Sequence, residues 1–120
     1  MEISIGMDGD VVIMDITGDL VASTAEELKA QVTKLGEKKF HFILADISKI
    51  NFMDSSGLGA CMAVHKSLSE QKGLLVLAKP CEAVAKVFRI TRADQKLKVV
   101  PTKQEGVKVL QDAIIAGRAK

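Results

Sequence analysis

An α/β sandwich, with a mixed central sheet of about five strands and about four helices, is predicted by three observations. Short apolar runs rich in Val, Ile and Leu alternate with longer segments whose apolar residues recur every three or four positions. Met7-Asp8-Gly9-Asp10 lies between the first two strand-like runs, and Asp-Gly is a hairpin signal, so the chain opens with an antiparallel pair. From there on strand and helix alternate, as in right-handed crossovers between parallel strands. At 120 residues, 48% of them hydrophobic, the chain is expected to form one domain, residues 1–120, with a real core.

The elements follow in order. Ile3 and Ile5, then Val11 to Ile16, read as the hairpin strands. Gly18-Asp19 ends the second, and Leu20-Val21-Ala22 reads as a short further strand. Ser23-Thr24-Ala25-Glu26 has the form of a capping box and predicts a helix to about Leu35, with Ala25, Leu28, Val32 and Leu35 inward and Gly36 as its stop. Phe40 to Ala45 is a buried strand, and Asp46 to Asn51 a connecting loop. A helix is expected from Ser56 to Gln71, ended by Gly73. Leu74 to Ala78 is apolar at every position, as a strand covered on both faces would be. Pro80 lies near the start of a helix with a stripe of Val84, Val87, Phe88 and Ile90. Leu97 to Val100 is the last strand. Thr102-Lys103-Gln104-Glu105 is a second capping box, opening a helix with Val107, Leu110, Ile114 and Ile115 inward. The tail Gly117-Arg118-Ala119-Lys120 is expected to fray.

Composition narrows the function. There is no Trp or Tyr and aromatics are 3%, so platforms for base stacking are scarce. A net charge of +2 gives no strong basic field, and nucleic acid is not an expected partner. Scattered lysines interleaved with acids read as a solvated surface. Cys61 and Cys81 lack metal-ligand spacing and fall in apolar helical patterns, which suits buried thiols in a reducing compartment. No apolar run reaches the roughly 20 residues of a membrane span, and Met1-Glu2-Ile3-Ser4 carries no basic leader. A cytoplasmic protein without direct membrane insertion is expected. No metal or cofactor is implied.

One stretch carries chemistry: Phe52-Met53-Asp54-Ser55-Ser56-Gly57-Leu58-Gly59. It joins a strand to a helix and places two hydroxyls where the helix begins. N–H groups of a first helical turn lack partners and carry partial positive charge, so a phosphoryl group is well tolerated there. The alternative is that Ser55 and Ser56 are simply helix caps. Gly57-Leu58-Gly59-Ala60-Cys61-Met62 imitates part of a dinucleotide fingerprint, but Met62 is too bulky for its third glycine. Residue types alone leave open a Ser-His-Asp triad from Ser55 with His41 or His65. A hydrolase of that kind predicts labelling by a serine-reactive probe. Asp19 and Asp46 flank strand ends, where they either form turns or line the same edge as Ser55.

The octet from Phe52 to Gly59 resembles the signature of the STAS family, and within it of bacterial anti-sigma factor antagonists. That signature is an aromatic, any residue, then Asp-Ser-Ser/Thr-Gly-Leu-Gly. Gly18-Asp19-Leu20, the strand before the octet, and Phe88-Arg89-Ile90-Thr91 fall in the family's order. The resemblance covers nearly the whole chain. It implies a STAS-like sandwich and a non-enzymatic phosphoprotein, with Ser55 as phosphoacceptor and Asp54, Ser56, Gly57, Leu58 and Asp19 as partner-binding residues. The implied partners are an anti-sigma factor that is also a serine kinase of the histidine-kinase-like ATPase class, and a PP2C-type phosphatase. Binding of the unphosphorylated form to the kinase would free a sigma factor, and phosphorylation would end it. Two departures stand out. Val21 replaces an Asp common in the family two residues after Asp19, which bears on the identity of the partner. Arg92-Ala93 replaces a common Gly-Leu. The family also offers a second role, a cytoplasmic subunit docked on a membrane lipid or anion transport complex without phosphorylation. A small sheet with exposed edges is expected to be a monomer or weak dimer.

Overall fold

The computed structural model describes residues 1–118. Five strands form one sheet in the order β1-β2-β3-β4-β5. They are β1 (Glu2–Asp8), β2 (Val11–Thr17), β3 (Phe42–Lys49), β4 (Leu74–Ala78) and β5 (Lys98–Val100). The helices are α1 (Ala22–Glu37), α2 (Ser55–Glu70), α3 (Glu82–Thr91) and α4 (Lys103–Arg118), with a short 3-10 turn at Ala93–Gln95. β1 and β2 are antiparallel, and β2 to β5 are mutually parallel. The mixed α/β sandwich is therefore the observed fold. The hairpin turns over Gly9 and Asp10, with Gly9 at φ +61°.

Alternation along the strands divides the core between the two faces of the sheet. Val12, Met14 and Ile16 of β2 and Ile43, Ala45 and Ile47 of β3 face α1 and α2, where Leu28, Val32, Cys61, Val64 and Leu68 cover them. Phe88 of α3 completes this layer. On the other face Val11, Leu44, Val76 and Val100 pack under Leu110 of α4. Each helix starts at the end of the sheet where the parallel strands finish, so the loops after β2, β3, β4 and β5 gather at that end.

Several expectations are corrected. α1 begins at Ala22, and the Ser23-Glu26 box does not form. Instead Thr24 Oγ1 accepts the N–H of Val21 at 3.0 Å and donates to the Asp19 carbonyl at 2.8 Å. Leu20 is pinned by a parallel bridge to Met53 rather than forming a strand, and that anchor fixes where the helix can enter. Gly36 lies inside α1; the stop comes at Lys38, followed by Lys39 at φ 69°. β3 starts at Phe42, leaving Phe40 exposed, and runs on to Lys49, so Asp46 is a strand residue. Ile90 and Ile115 are 71% and 62% exposed, because α3 and α4 each present a wider apolar stripe than the sheet can cover. The second capping box is half realised: the Glu105 N–H donates to Thr102 Oγ1 at 3.1 Å. α4 continues through Gly117 to Arg118, and the rest of the expected frayed tail, 119–120, lies outside the described residues.

Asp46 faces α4. Its carboxylate accepts the Ser48 N–H at 2.9 Å and sits 3.3 Å from Lys103 Nζ, which is also 2.8 Å from Asp15. Burial pushes the Asp46 carboxyl up, but the Ser48 and Lys103 interactions outweigh it and leave it below its ordinary value. Hydrogen bonding to Asp15 raises Lys103, burial opposes this, and Asp46 adds to the rise. A depressed carboxyl stabilises the fold above its unfolded value near 3.8, and that contribution is lost as pH falls through the lower folded value. Lys103 works at the other end: its contribution holds below 10.5 and fades as pH rises through the raised value. In melts across pH, Asp46→Asn is expected to lower stability at neutral pH and to flatten the acid limb relative to wild type. Equal acid slopes in the two proteins would show that Asp46 carries none of it.

Candidate functional site

The loop after β3 is shaped by alternate buried and exposed residues. Ile50 and Met53 are buried, whereas Asn51 and Phe52 face out, Phe52 at 54% exposure. The loop after β2 lies against it through backbone bonds. The Gly18 N–H donates to the Lys49 carbonyl at 3.1 Å, the Leu20 N–H to the Phe52 carbonyl at 3.0 Å, and the Asp54 N–H to the Leu20 carbonyl at 3.3 Å. The half-buried Cys81, N-cap of α3, adds a third loop by donating its thiol to the Ile50 carbonyl at 3.2 Å.

α2 springs from this junction. Its N-cap is Asp54, whose Oδ1 accepts the N–H of Gly57 at 2.9 Å. The serines are therefore not the cap: Ser55 and Ser56 occupy the first two helical positions. Both are exposed and their hydroxyls make no hydrogen bond among the described residues. Their backbone N–H groups likewise take no partner there, being the donors that a helix start leaves open. The result is a free hydroxyl on Ser55 beside two unused donors, at the positive end of a 16-residue helix.

Gly57 is where α2 meets the loop after β2. A Cβ added there would lie 2.1 Å from the Leu20 carbonyl oxygen and 2.8 Å from its carbon. Only glycine permits that approach. Gly59 differs: it is exposed, and a Cβ would meet nothing within 4 Å. Asp19 projects from the neighbouring loop, exposed and without a side-chain partner among the described residues. Half-buried Leu58 shares with Met62, Arg92, Ala93 and Lys96 a groove of about 370 Å³ between α2 and the turn after α3. Arg92 sits at φ 60°, a left-handed conformation that favours glycine, which explains the Gly of the family pattern at this position.

Asp54, Ser55, Ser56, Gly57, Leu58 and Asp19 are thus brought to one end of the molecule. Asp46 is not among them, since it faces α4 across the sheet. The triad does not assemble. His41 precedes β3 at the opposite end of an eight-residue strand, roughly 26 Å along the sheet. His65 lies about 15 Å down α2 from Ser55. Cys61 is buried, and burial pushes its thiol up to about 12, so it stays neutral. The signals that sequence reading missed are the exposure of Phe52 beside Ser55 and the basic rim of Arg92 and Lys96.

Truncating the cap gives a direct check. Asp54→Ala is expected to cost about 1 kcal/mol through loss of the Gly57 hydrogen bond, read by urea denaturation. An unchanged midpoint would mean that Asp54 serves only as a surface charge.

The model of the STAS domain family matches residues 2–106, and the chain belongs to that family. It is 30% identical to the anti-sigma-B factor antagonist of Listeria monocytogenes, over 70% of this chain and 74% of that protein. A Thermotoga maritima protein, solved as a candidate anti-sigma factor antagonist, superposes with a TM-score of 0.85 at 26% identity, covering 91% of this chain and 94% of its own. A sulfate transporter family protein from Wolinella succinogenes shares the fold, with a TM-score of 0.78 at 14% identity, over 91% of each chain. Among the described residues no helix is long and apolar enough to cross a membrane.

Proposed function

We propose that the chain is an anti-sigma factor antagonist that acts by binding and is switched at Ser55. In the unphosphorylated form it holds an anti-sigma factor, itself a serine kinase of the histidine-kinase-like ATPase class, and so releases a sigma factor for transcription. Phosphorylation of Ser55 ends the complex, and a PP2C-type phosphatase restores it. Asp54, Ser56, Gly57, Leu58 and Asp19 form the docking edge around Ser55. The domain catalyses nothing itself and works in the cytoplasm, where its kinase finds ATP.

One observation carries this reading: the Ser55 hydroxyl is exposed and unbonded among the described residues, because Asp54 does the capping. A kinase can reach that oxygen without unwinding the helix. A phosphoryl group adds roughly −1.5 to −2 charges and three acceptor oxygens. The open N–H groups of Ser55 and Ser56 lie beside it, so the fold tolerates the modification. A partner surface fitted to a neutral hydroxyl does not: it must desolvate and face a dianion next to Asp54. The relatives named as anti-sigma factor antagonists support the general role. Val21, in place of the family's acid, alters the loop next to Asp19, so the partner need not be the one those relatives engage.

Affinity capture from native lysate, with wild type and Ser55→Asp as paired baits, tests the proposal. Retention of a kinase-type ATPase by wild type and its loss with the variant is the expected result. Retention of the same transporter subunits by both baits would overturn it in favour of docking on a transport complex.

A further inference from the structure

The two edges of the sheet are protected very differently. β5 is three residues long and carries Lys98, which is exposed. Short length and lysine are devices that discourage another strand from pairing. β1 at the other edge is seven residues, about 24 Å when extended, with neither Pro nor Lys. Among the described residues it pairs only with β2. Its Ile3, Ile5 and Met7 lie opposite Ile16, Met14 and Val12 and so face the α1 side. Ile3 is partly buried against the core, but the row opens beyond it: Ile5 is 43% and Met7 49% exposed. An unpaired backbone edge thus coincides with a partly uncovered apolar row.

We infer that this edge pairs with β1 of a second copy, antiparallel across a two-fold axis, so that two sheets join into one of ten strands. The sequence of β1 selects both the occupant and the register. Residues directly opposite in an antiparallel pair share a face, so allowed registers keep odd positions opposite odd and even opposite even. Centred on Ile5, the pairing sets Glu2 against Asp8 of the other copy twice, and like charges directly opposite are destabilising. Centred on Ser4, it sets Met1 against Met7, Ile3 against Ile5, Glu2 against Gly6 and Ser4 against Ser4. No like charges meet, and eight apolar side chains form one continuous row. Gly6 leaves open space for Glu2, since a Cβ there would meet nothing within 4 Å. Registers centred further along the strand shorten the overlap. The strand is therefore complementary to itself, the requirement of a two-fold interface. Two strands of this length make a contact at the small end of specific interfaces, so the dimer is weak and reversible. It leaves Ser55 and Phe52 uncovered, because they follow β3, two strands in from this edge.

Single cysteines read the register, placed in a Cys81→Ser background where Cys61 is buried and unreactive. Under mild oxidation Ser4→Cys is expected to give a disulfide-linked dimer in high yield and Ile5→Cys little. Sedimentation of wild type is expected to show a concentration-dependent dimer, and Ile5→Lys to raise its dissociation constant at least about tenfold. The half-exposed site keeps that variant folded, which circular dichroism verifies. A wild-type chain that stays monomeric up to about 1 mM, or a dimer cross-linked by Ile5→Cys and not by Ser4→Cys, overturns the inference.

Discussion

Ser55→Asp is expected to weaken binding of the proposed kinase partner by at least about 2 kcal/mol, roughly thirtyfold, while the melting temperature moves by less than about 4 °C. The asymmetry comes from where the charge is placed. Within the domain, Ser55 is the first residue of α2, and no acid occupies that helix's first turn. A carboxylate there meets the positive end of the helix and two open N–H groups, worth about 0.3–1 kcal/mol in its favour. Asp54 opposes it, with its Oδ1 already engaged by Gly57. The two effects largely cancel in the free protein. At an interface nothing cancels: the partner loses solvent around a new charge and gains no designed counterpart. Calorimetric titration beside thermal melts separates the two terms. A variant that melts far lower would mean that Ser55 holds the fold together, and the interfacial switch would fail.

Gly57→Ala is expected to cost about 3 kcal/mol or more, lowering the melting temperature by roughly 10 °C. The methyl would fall 2.1 Å from the Leu20 carbonyl oxygen, a backbone atom that cannot rotate away. Either α2 lifts or the loop after β2 moves, and the Asp54–Leu20 hydrogen bond goes with it. Gly59→Ala is the control. With open space around it and a helical position, it should gain about 0.5–1 kcal/mol. Chemical denaturation of the pair distinguishes the two glycines of one motif. If Gly57→Ala is as stable as wild type, the close approach of Leu20 is not what demands glycine there.

The parts of the fold that could be read from sequence are those where one physical signal acts alone. Leu74 to Ala78 is apolar throughout and is a strand with those bounds. The alternation of Val12, Met14 and Ile16 names one face of β2 correctly. Reading fails where two signals compete or where backbone contacts between distant segments decide. Ser23-x-x-Glu26 is a sound cap signal, yet α1 starts earlier because Leu20 is held by Met53 and Phe52. Gly36 looked like a stop, whereas lysines at positions 39 and 72 take the left-handed turns after α1 and α2. Gly73 is needed for a different reason, since a Cβ there would lie 2.1 Å from the His41 carbonyl. At the site, the octet located the helix start to within one residue. It did not reveal that Asp54 caps in place of the serines, because Asp and Ser are nearly equal as caps. That outcome depends on which backbone angle falls at which residue, set by the bridge to Leu20.

The stitching of the loop after β2 onto the motif loop separates what can vary from what cannot. Gly18, Leu20 and Asp54 are held through main-chain N–H and carbonyl groups, with Gly57 seated against one of those carbonyls. An insertion or deletion of one residue between Gly18 and Leu20 would put every one of those bonds out of step. Side chains that project from the same stretch, such as Asp19 and Phe52, carry no part of it. The number of residues here is fixed by the fold, while their outward identity is open to selection by whichever partner docks. Point substitution around Ser55 can therefore change which partner docks while loop length and cap stay unchanged.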